Sequence, residues 1–183
     1  MPTESSVTPA FREQVEKGLG CAVILAGSGS DDAHIEKITS EMQKYGIPFE
    51  VRVASAHKQP VRLQDVVNEY DTLRGPLVYI AVAGGTDALS GTSSFSSFRP
   101  TISCPPDSPN QSCLTNPPGS SNAYITRPAN VAQFVAQMFA WTNPPYKVQL
   151  EQRRNVKIIE LEEADRKLRT KYAQLQGVKL NGS

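Results

Sequence analysis

A chain of 183 residues is long enough for one domain with an appended tail and too short for two full domains. Its 19 lysines and arginines against 18 acids leave a net charge of +1, which offers no basic field for nucleic acid and no acidic bias toward cations, so the expected partner is a small molecule. Cys21, Cys104 and Cys113 are odd in number, lack metal-ligand spacing and follow no apolar leader, so a reducing, cytoplasmic setting without zinc is expected rather than secretion.

Residues 1–20 are polar, with Pro2, Pro9 and scattered charges, and predict a loose N-terminal arm carrying a short helix around Phe11 to Lys17. From Cys21 to Ala26 an unbroken apolar run of strand length ends in Gly27-Ser28-Gly29-Ser30, the pattern of a buried parallel strand feeding a turn. It is the longest apolar run and falls far short of the roughly 20 residues that cross a bilayer, so no membrane role is expected. Asp31 and Asp32 open a helix with Ile35, Ile38, Met42 and Tyr45 at helical spacing, stopped by Gly46-Ile47-Pro48. Phe49 to Val53 is a second strand. Gln59-Pro60 starts a helix with Val61, Leu63, Val66, Val67 and Tyr70 as its apolar positions, and Leu77 to Val82 is a third strand.

Short apolar strands alternating with helices predict a parallel sheet covered on both faces by helices. Thr101 to Cys104 and Asn122 to Thr126 are further short strands, and between them residues 105–121 form a Pro-, Ser-, Asn- and Gly-rich loop suited to be a lid. Ala129 to Trp141 is a helix with Val131, Phe134, Val135, Met138 and Phe139 on its buried side. Past Pro144-Pro145, one long charged helix with the stripe Ile158, Leu161, Leu168, Tyr172 and Leu175 is expected to serve packing or oligomerisation. The domain boundaries read from this pattern are 1–20, 21–143 and 144–183.

Ligands of parallel sheets bind at the carboxyl ends of the strands, and three of those ends carry small polar turns: Ser28-Gly29-Ser30, Ser55-Ala56-His57 and Gly84-Gly85-Thr86. His57, one of two histidines, follows a strand between a hydroxyl and an ammonium group and is placed for proton transfer next to an anion. Taken alone, Ser-Ala-His-Lys is more often a surface histidine of a loop. Gly27-Ser28-Gly29-Ser30-Asp31 lacks the Gly-Lys-Ser/Thr of a P-loop and the third small residue of a dinucleotide fingerprint, Asp32 standing there instead. Asp31 suits a ribose hydroxyl, or is a plain N-cap.

The order of these pieces is more specific than any one. Gly27-Ser28-Gly29-Ser30-Asp31, Tyr45-Gly46-Ile47-Pro48-Phe49-Glu50-Val51-Arg52-Val53, Ser55-Ala56-His57-Lys58, Ala81-Val82-Ala83-Gly84-Gly85 and Ile102-Ser103-Cys104-Pro105-Pro106 together resemble the aminoimidazole ribonucleotide carboxylase (PurE-type) family over roughly Cys21 to Trp141. Lys58, the Ser-Cys-Pro-Pro segment and the terminal helix are most similar to the class that uses carbon dioxide directly. The resemblance implies a flavodoxin-like α/β/α sandwich, a homo-octamer with sites at subunit contacts, and no metal or organic cofactor. It implies that His57 shuttles a proton at the carbon bearing the carboxylate, and that Ser28, Asp31, Ser55 and Lys58 hold ribose and phosphate. Ser30 and Ala56 fall within the same turns, and Gly84 and Gly85 would let backbone amides line a carbon dioxide pocket.

Two departures accompany the match. Where the carbon-dioxide-using class has Gly-Arg-Ser-Asn, this chain has Gly84-Gly85-Thr86-Asp87, which exchanges a cation for a carboxylate; Ala88 stands where the mutase class has a histidine. The lid segment Cys113-Leu114-Thr115-Asn116-Pro117-Pro118-Gly119 also lacks the arginine of Ser-Leu-Arg-Met-Pro-Ser-Gly. With Thr86 and Asp87 placed in the pocket, these changes favour a divergent decarboxylase of another small-molecule carboxylate, an aromatic or heteroaromatic acid or a β-keto acid. The alternatives are the purine-synthesis carboxylase itself and a non-catalytic nucleotide-binding or assembly subunit.

Overall fold

The computed structural model describes residues 6–107 and 109–176. Five parallel strands, β1 (Cys21–Ala26), β2 (Phe49–Val53), β3 (Leu77–Val82), β4 (Thr101–Ser103) and β5 (Ala123–Tyr124), lie in the order β2-β1-β3-β4-β5. Helices α1 (Pro9–Glu16), α2 (Asp32–Tyr45), α3 (Pro60–Asp71), α4 (Leu89–Ser96), α5 (Pro128–Phe139) and α6 (Pro144–Leu175) complete the chain, giving the expected flavodoxin-like sandwich with a long terminal helix. The chain divides into two compact units between Lys147 and Val148.

The central strands are buried along their whole length, because a parallel strand covered on both faces has no solvent side. Alternate residues of β1 serve opposite layers: Cys21, Val23 and Leu25 join Leu63, Val66, Val67 and Tyr70 of α3 in one cluster, while α2 and α5 pack together on the other face. Ile35, Ile38, Met42 and Tyr45 of α2 are all buried, as their spacing predicts, and Gly46 at φ +69° closes the helix while the amides of Gly46 and Ile47 return to the carbonyls of Gln43 and Met42.

Four expectations need correction. The described part of the arm is not loose: Val7, Phe11 and Val15 are buried in the α3 cluster, Thr8 caps α1 through its side chain, and Glu50 and Glu69 accept the amides of Thr8 and Ser6. Val61 is 73% exposed, because the first turn of α3 points outward before Leu63 reaches the core. In α5 the small residues Ala132 and Ala136 take core positions beside Val131 and Val135, leaving Phe134 exposed. Helix α4 is absent from the sequence reading, since it buries Leu89, Ser90, Gly91 and Ser93 rather than an apolar stripe.

At the amino edge, Gly20 is bracketed. Its N–H donates to Asn143 Oδ1 (3.1 Å) and its carbonyl accepts the Tyr146 hydroxyl (2.7 Å). A Cβ there would lie 2.2 Å from the Phe139 ring, so the close approach requires glycine. The unit from Val148 onward is the continuation of α6, where Ile158, Leu161, Leu168, Tyr172 and Leu175 are exposed.

Candidate active site

Strand register brings the three polar turns level. Ala26 lies beside Val53 on one flank and Val82 on the other, and backbone bonds continue past the strand ends from Gly27 N to Val82 O (2.9 Å) and from Ala54 N to Ala26 O (2.9 Å). The β1 turn is therefore the floor between the β2 turn and the β3 turn. This is the switch point of the sheet, where the chain after β2 crosses over β1 to form β3.

A cavity of about 320 Å³ opens there, within the range of small-molecule sites. Ser28, Ser30, Asp31, Ser55, Ala56, His57, Lys58, Gly84 and Thr86 line it, with Gly27, Ala83, Ala88 and Leu89 as additional walls. Ser28 and Ser30 bring their Oγ atoms within 2.9 Å, and Ser28 Oγ accepts the Ser30 amide (3.2 Å), which fixes both hydroxyls on the floor. Asp31 occupies the N-cap position of α2 yet makes no side-chain capping bond, so its carboxylate borders the cavity instead of closing the helix. Ser55 holds the β2 turn: its Oγ accepts the Lys58 amide (3.3 Å) and its carbonyl accepts the Gln59 amide (2.8 Å). Ala56 packs onto the α3 cluster, and that anchor leaves His57 and Lys58 exposed at the rim.

Two predicted residues stand elsewhere. Asp87 is 3% exposed and does not line the cavity; its Oδ1 accepts the Ser90 amide (2.9 Å) and its Oδ2 accepts the Ser103 hydroxyl (2.7 Å). The carboxylate supports the start of α4 and the end of β4, and so does not face a substrate. Gly85, at φ +66°, donates its N–H away from the cavity to Asp107 Oδ2 (2.7 Å).

Sequence reasoning missed Asp107, Asn110 and Ser112, which bind the back of the β3 turn, and His34, the second histidine. His34 Nε2 donates to the Cys104 carbonyl (3.2 Å) beside Cys104 Sγ (3.4 Å), and burial holds its pKa below the ordinary imidazole value. Burial likewise pushes the Cys104 thiol up to about 12. Among the described residues no three His, Cys, Asp or Glu side chains group to hold a metal ion, and no helix is long and apolar enough to cross a membrane.

Known proteins resemble this chain in sequence and fold. The AIR carboxylase family model matches residues 21–158. A phosphoribosylaminoimidazole carboxylase of Treponema denticola is 39% identical over 124 residues, 64% of this chain and 78% of that protein. The phosphoribosylaminoimidazole carboxylase of Archaeoglobus fulgidus is 32% identical over 170 residues, 89% of this chain and 93% of its own length. The human bifunctional phosphoribosylaminoimidazole carboxylase/phosphoribosylaminoimidazole succinocarboxamide synthetase is 37% identical over 153 residues, and the match spans only 36% of it. The crystal structure of Treponema denticola PurE superposes with a TM-score of 0.77 at 33% identity, covering 81% of this chain and 98% of that one. By sequence, strand order and the match to that structure, the chain belongs to the AIR carboxylase family and is an enzyme of the carboxy-lyase class.

Proposed function

We propose that this chain moves a carboxylate on and off C4 of an aminoimidazole ribonucleotide, the reaction of a phosphoribosylaminoimidazole carboxylase in purine synthesis, with His57 as the proton carrier. The observation that carries the proposal is the single cavity that places His57 and Lys58 on one flank of the Ser28–Asp31 floor and the Gly84–Thr86 turn on the other. Hydroxyls and a carboxylate suit a ribose, and an ammonium at the rim suits a phosphate.

The chemistry needs one group that both gives and takes a proton. In the decarboxylating direction, protonated His57 delivers its proton to the ring carbon bearing the carboxylate. The carbon–carboxylate bond then breaks, its electron pair returns to the ring, and carbon dioxide leaves. In the carboxylating direction the electron-rich carbon attacks carbon dioxide and neutral His57 removes the proton that remains. The small walls of Gly84, Ala83 and Ala88 suit the carboxylate end of the ligand.

This reading replaces the divergent decarboxylase favoured by sequence. The case for a different carboxylate rested on the two missing arginines and on a negative charge at Asp87 beside the reacting group; that carboxylate is buried against Ser103 and the Ser90 amide, which removes the charge from the argument. The names carried by the Treponema and Archaeoglobus relatives support the purine reading. We extend it to a cytoplasmic homo-octamer, in which a neighbouring subunit covers the rim at His57 and Lys58 and excludes water.

The test is carbon dioxide release from carboxyaminoimidazole ribonucleotide by the purified protein and by His57→Asn. Turnover that falls by roughly 10²–10⁴-fold in a variant with unchanged melting supports the assignment. Absence of turnover in the folded wild-type protein refutes it, and equal turnover in the variant removes His57 from the mechanism.

A further inference from the structure

The connection from β4 to β5 runs behind the β3 turn and takes hold of its backbone with three side chains. Asp107 Oδ2 accepts the Gly85 N–H (2.7 Å), and its Oδ1 accepts from Asn110 Nδ2 (3.0 Å). Asn110 Nδ2 also donates to the Gly85 carbonyl (2.9 Å). Ser112 Oγ accepts the Asp87 N–H (2.8 Å) and donates to Asn110 Oδ1 (2.7 Å), which locks the amide in register. The Gly85 amide, and secondarily Asn110, hold the Asp107 carboxyl below the usual carboxylate range, so the clasp is charge-assisted at neutral pH.

The clasp decides what the turn shows to the cavity. In a planar trans peptide the N–H and C=O point in opposite directions. With the Gly85 N–H bound behind, the Gly84 carbonyl turns forward; with the Gly85 carbonyl bound behind, the Thr86 N–H turns forward. Gly84 and Thr86 line the cavity, whereas Gly85, Asp107, Asn110 and Ser112 do not. Gly85 itself adds no anchor: it has no side chain, sits at φ +66°, and among the described residues a Cβ there would meet no atom within 4 Å.

We infer that Asp107, together with Asn110 and Ser112, is a positioning residue that fixes the Gly84–Gly85 and Gly85–Thr86 peptides so that the Thr86 N–H meets the carboxylate carried by the ligand. The clasp rests on geometry alone, and the identity of the ligand rests on the function proposed above.

Two measurements on the full-length assembly separate these. Hydrogen exchange without ligand, read on peptides spanning residues 84–87 and 55–59, compares wild type with Asp107→Ala and Asp107→Asn. Kinetics on carboxyaminoimidazole ribonucleotide is set beside the affinity for aminoimidazole ribonucleotide, which lacks the carboxylate. For Asp107→Ala we expect roughly tenfold faster exchange at 84–87 with none at 55–59, and a roughly tenfold lower kcat/KM for the carboxylated ligand, the scale of one charge-assisted hydrogen bond. Affinity for the uncarboxylated ligand stays within about twofold, and Asp107→Asn, which keeps one acceptor, recovers part of each loss. Unchanged exchange, an equal loss of both ligands, or an Asn variant no better than Ala overturns the inference. If wild type does not turn over the carboxylated ligand, the functional reading fails, and the exchange result alone decides the clasp.

Discussion

Arg99 donates its Nε–H to Asp71 Oδ1 at 3.1 Å, and the same guanidinium reaches the carbonyls of Gly75 (2.7 Å) and Leu73 (2.5 Å). The hydroxyls of Tyr79 and Ser97 donate to that carboxylate oxygen as well. Arg99 is buried and Asp71 half-buried, and the pair binds the loop after α3 to the start of β4, at the edge of the sheet opposite the cavity. Arg99→Met leaves Asp71 without its cation and two carbonyls without donors, and is expected to cost about 3–5 kcal/mol in urea unfolding. Lysine, with one point charge in place of the planar fork, restores only part. A midpoint unchanged by Arg99→Met would contradict this assignment.

Asp87→Asn keeps the shape of the side chain and removes its charge. Because the carboxylate serves Ser90 and Ser103 inside the protein, the substitution lowers stability by roughly 1–2 kcal/mol. Calorimetry with the carboxylated ligand should show an affinity within about twofold of wild type. A marked gain in affinity would return this charge to the cavity.

His34 gives a stability that depends on pH. Its folded pKa lies below the ordinary value near 6.5, burial being the main cause, the Cys104 carbonyl opposing it, Lys37 adding to the depression and Asp31 opposing it. As pH falls below about 6.5 the unfolded chain takes up this proton first, so stability is lost through that window and down through the folded pKa; above it the group contributes no pH dependence. His34→Gln should flatten the slope of unfolding free energy below about pH 6.5. An unaltered slope would assign the acid sensitivity to other groups.

Lys58 stands at the cavity rim as a point charge, and on the proposed reading it meets the ligand phosphate. Lys58→Ala should raise KM by roughly tenfold or more with little change in kcat, the pattern of binding lost equally from ground and transition states. Added salt should raise KM in wild type more than in the variant. A KM that ignores the substitution argues against a phosphorylated substrate.

The three long strands and the buried faces of α2 and α3 were legible because each rests on a run or period of apolar residues that nothing nearby contradicts. Val7, Phe11 and Val15 repeat at a spacing of four and carried a signal that the polar residues around them obscured. Helix α4 had no such signal: Ser90, Gly91 and Ser93 are buried through small size, and glycine and serine in a run read as loop. The front of the cavity was legible because His57, Lys58, Ser28 and Asp31 lie on turns that directly follow strands. Its back was not, since Asp107 reaches Gly85 across 22 residues of sequence and only the path of the loop brings them together. Asp87 was misplaced for the same reason: its neighbours in the chain line the cavity, but its carboxylate follows Ser103.

The bracket on Gly20 has a consequence for the order of synthesis. Its two partners lie 123 and 126 residues downstream, so on a ribosome the residue before the central strand waits for nearly the whole first unit to emerge before its polar groups find their mates. A nascent chain halted before Asn143 can pair β1 with β2 and β3, yet it keeps an unsealed seam at the base of that strand. The final seal on the fold is thus applied by the same stretch of chain that launches the terminal helix.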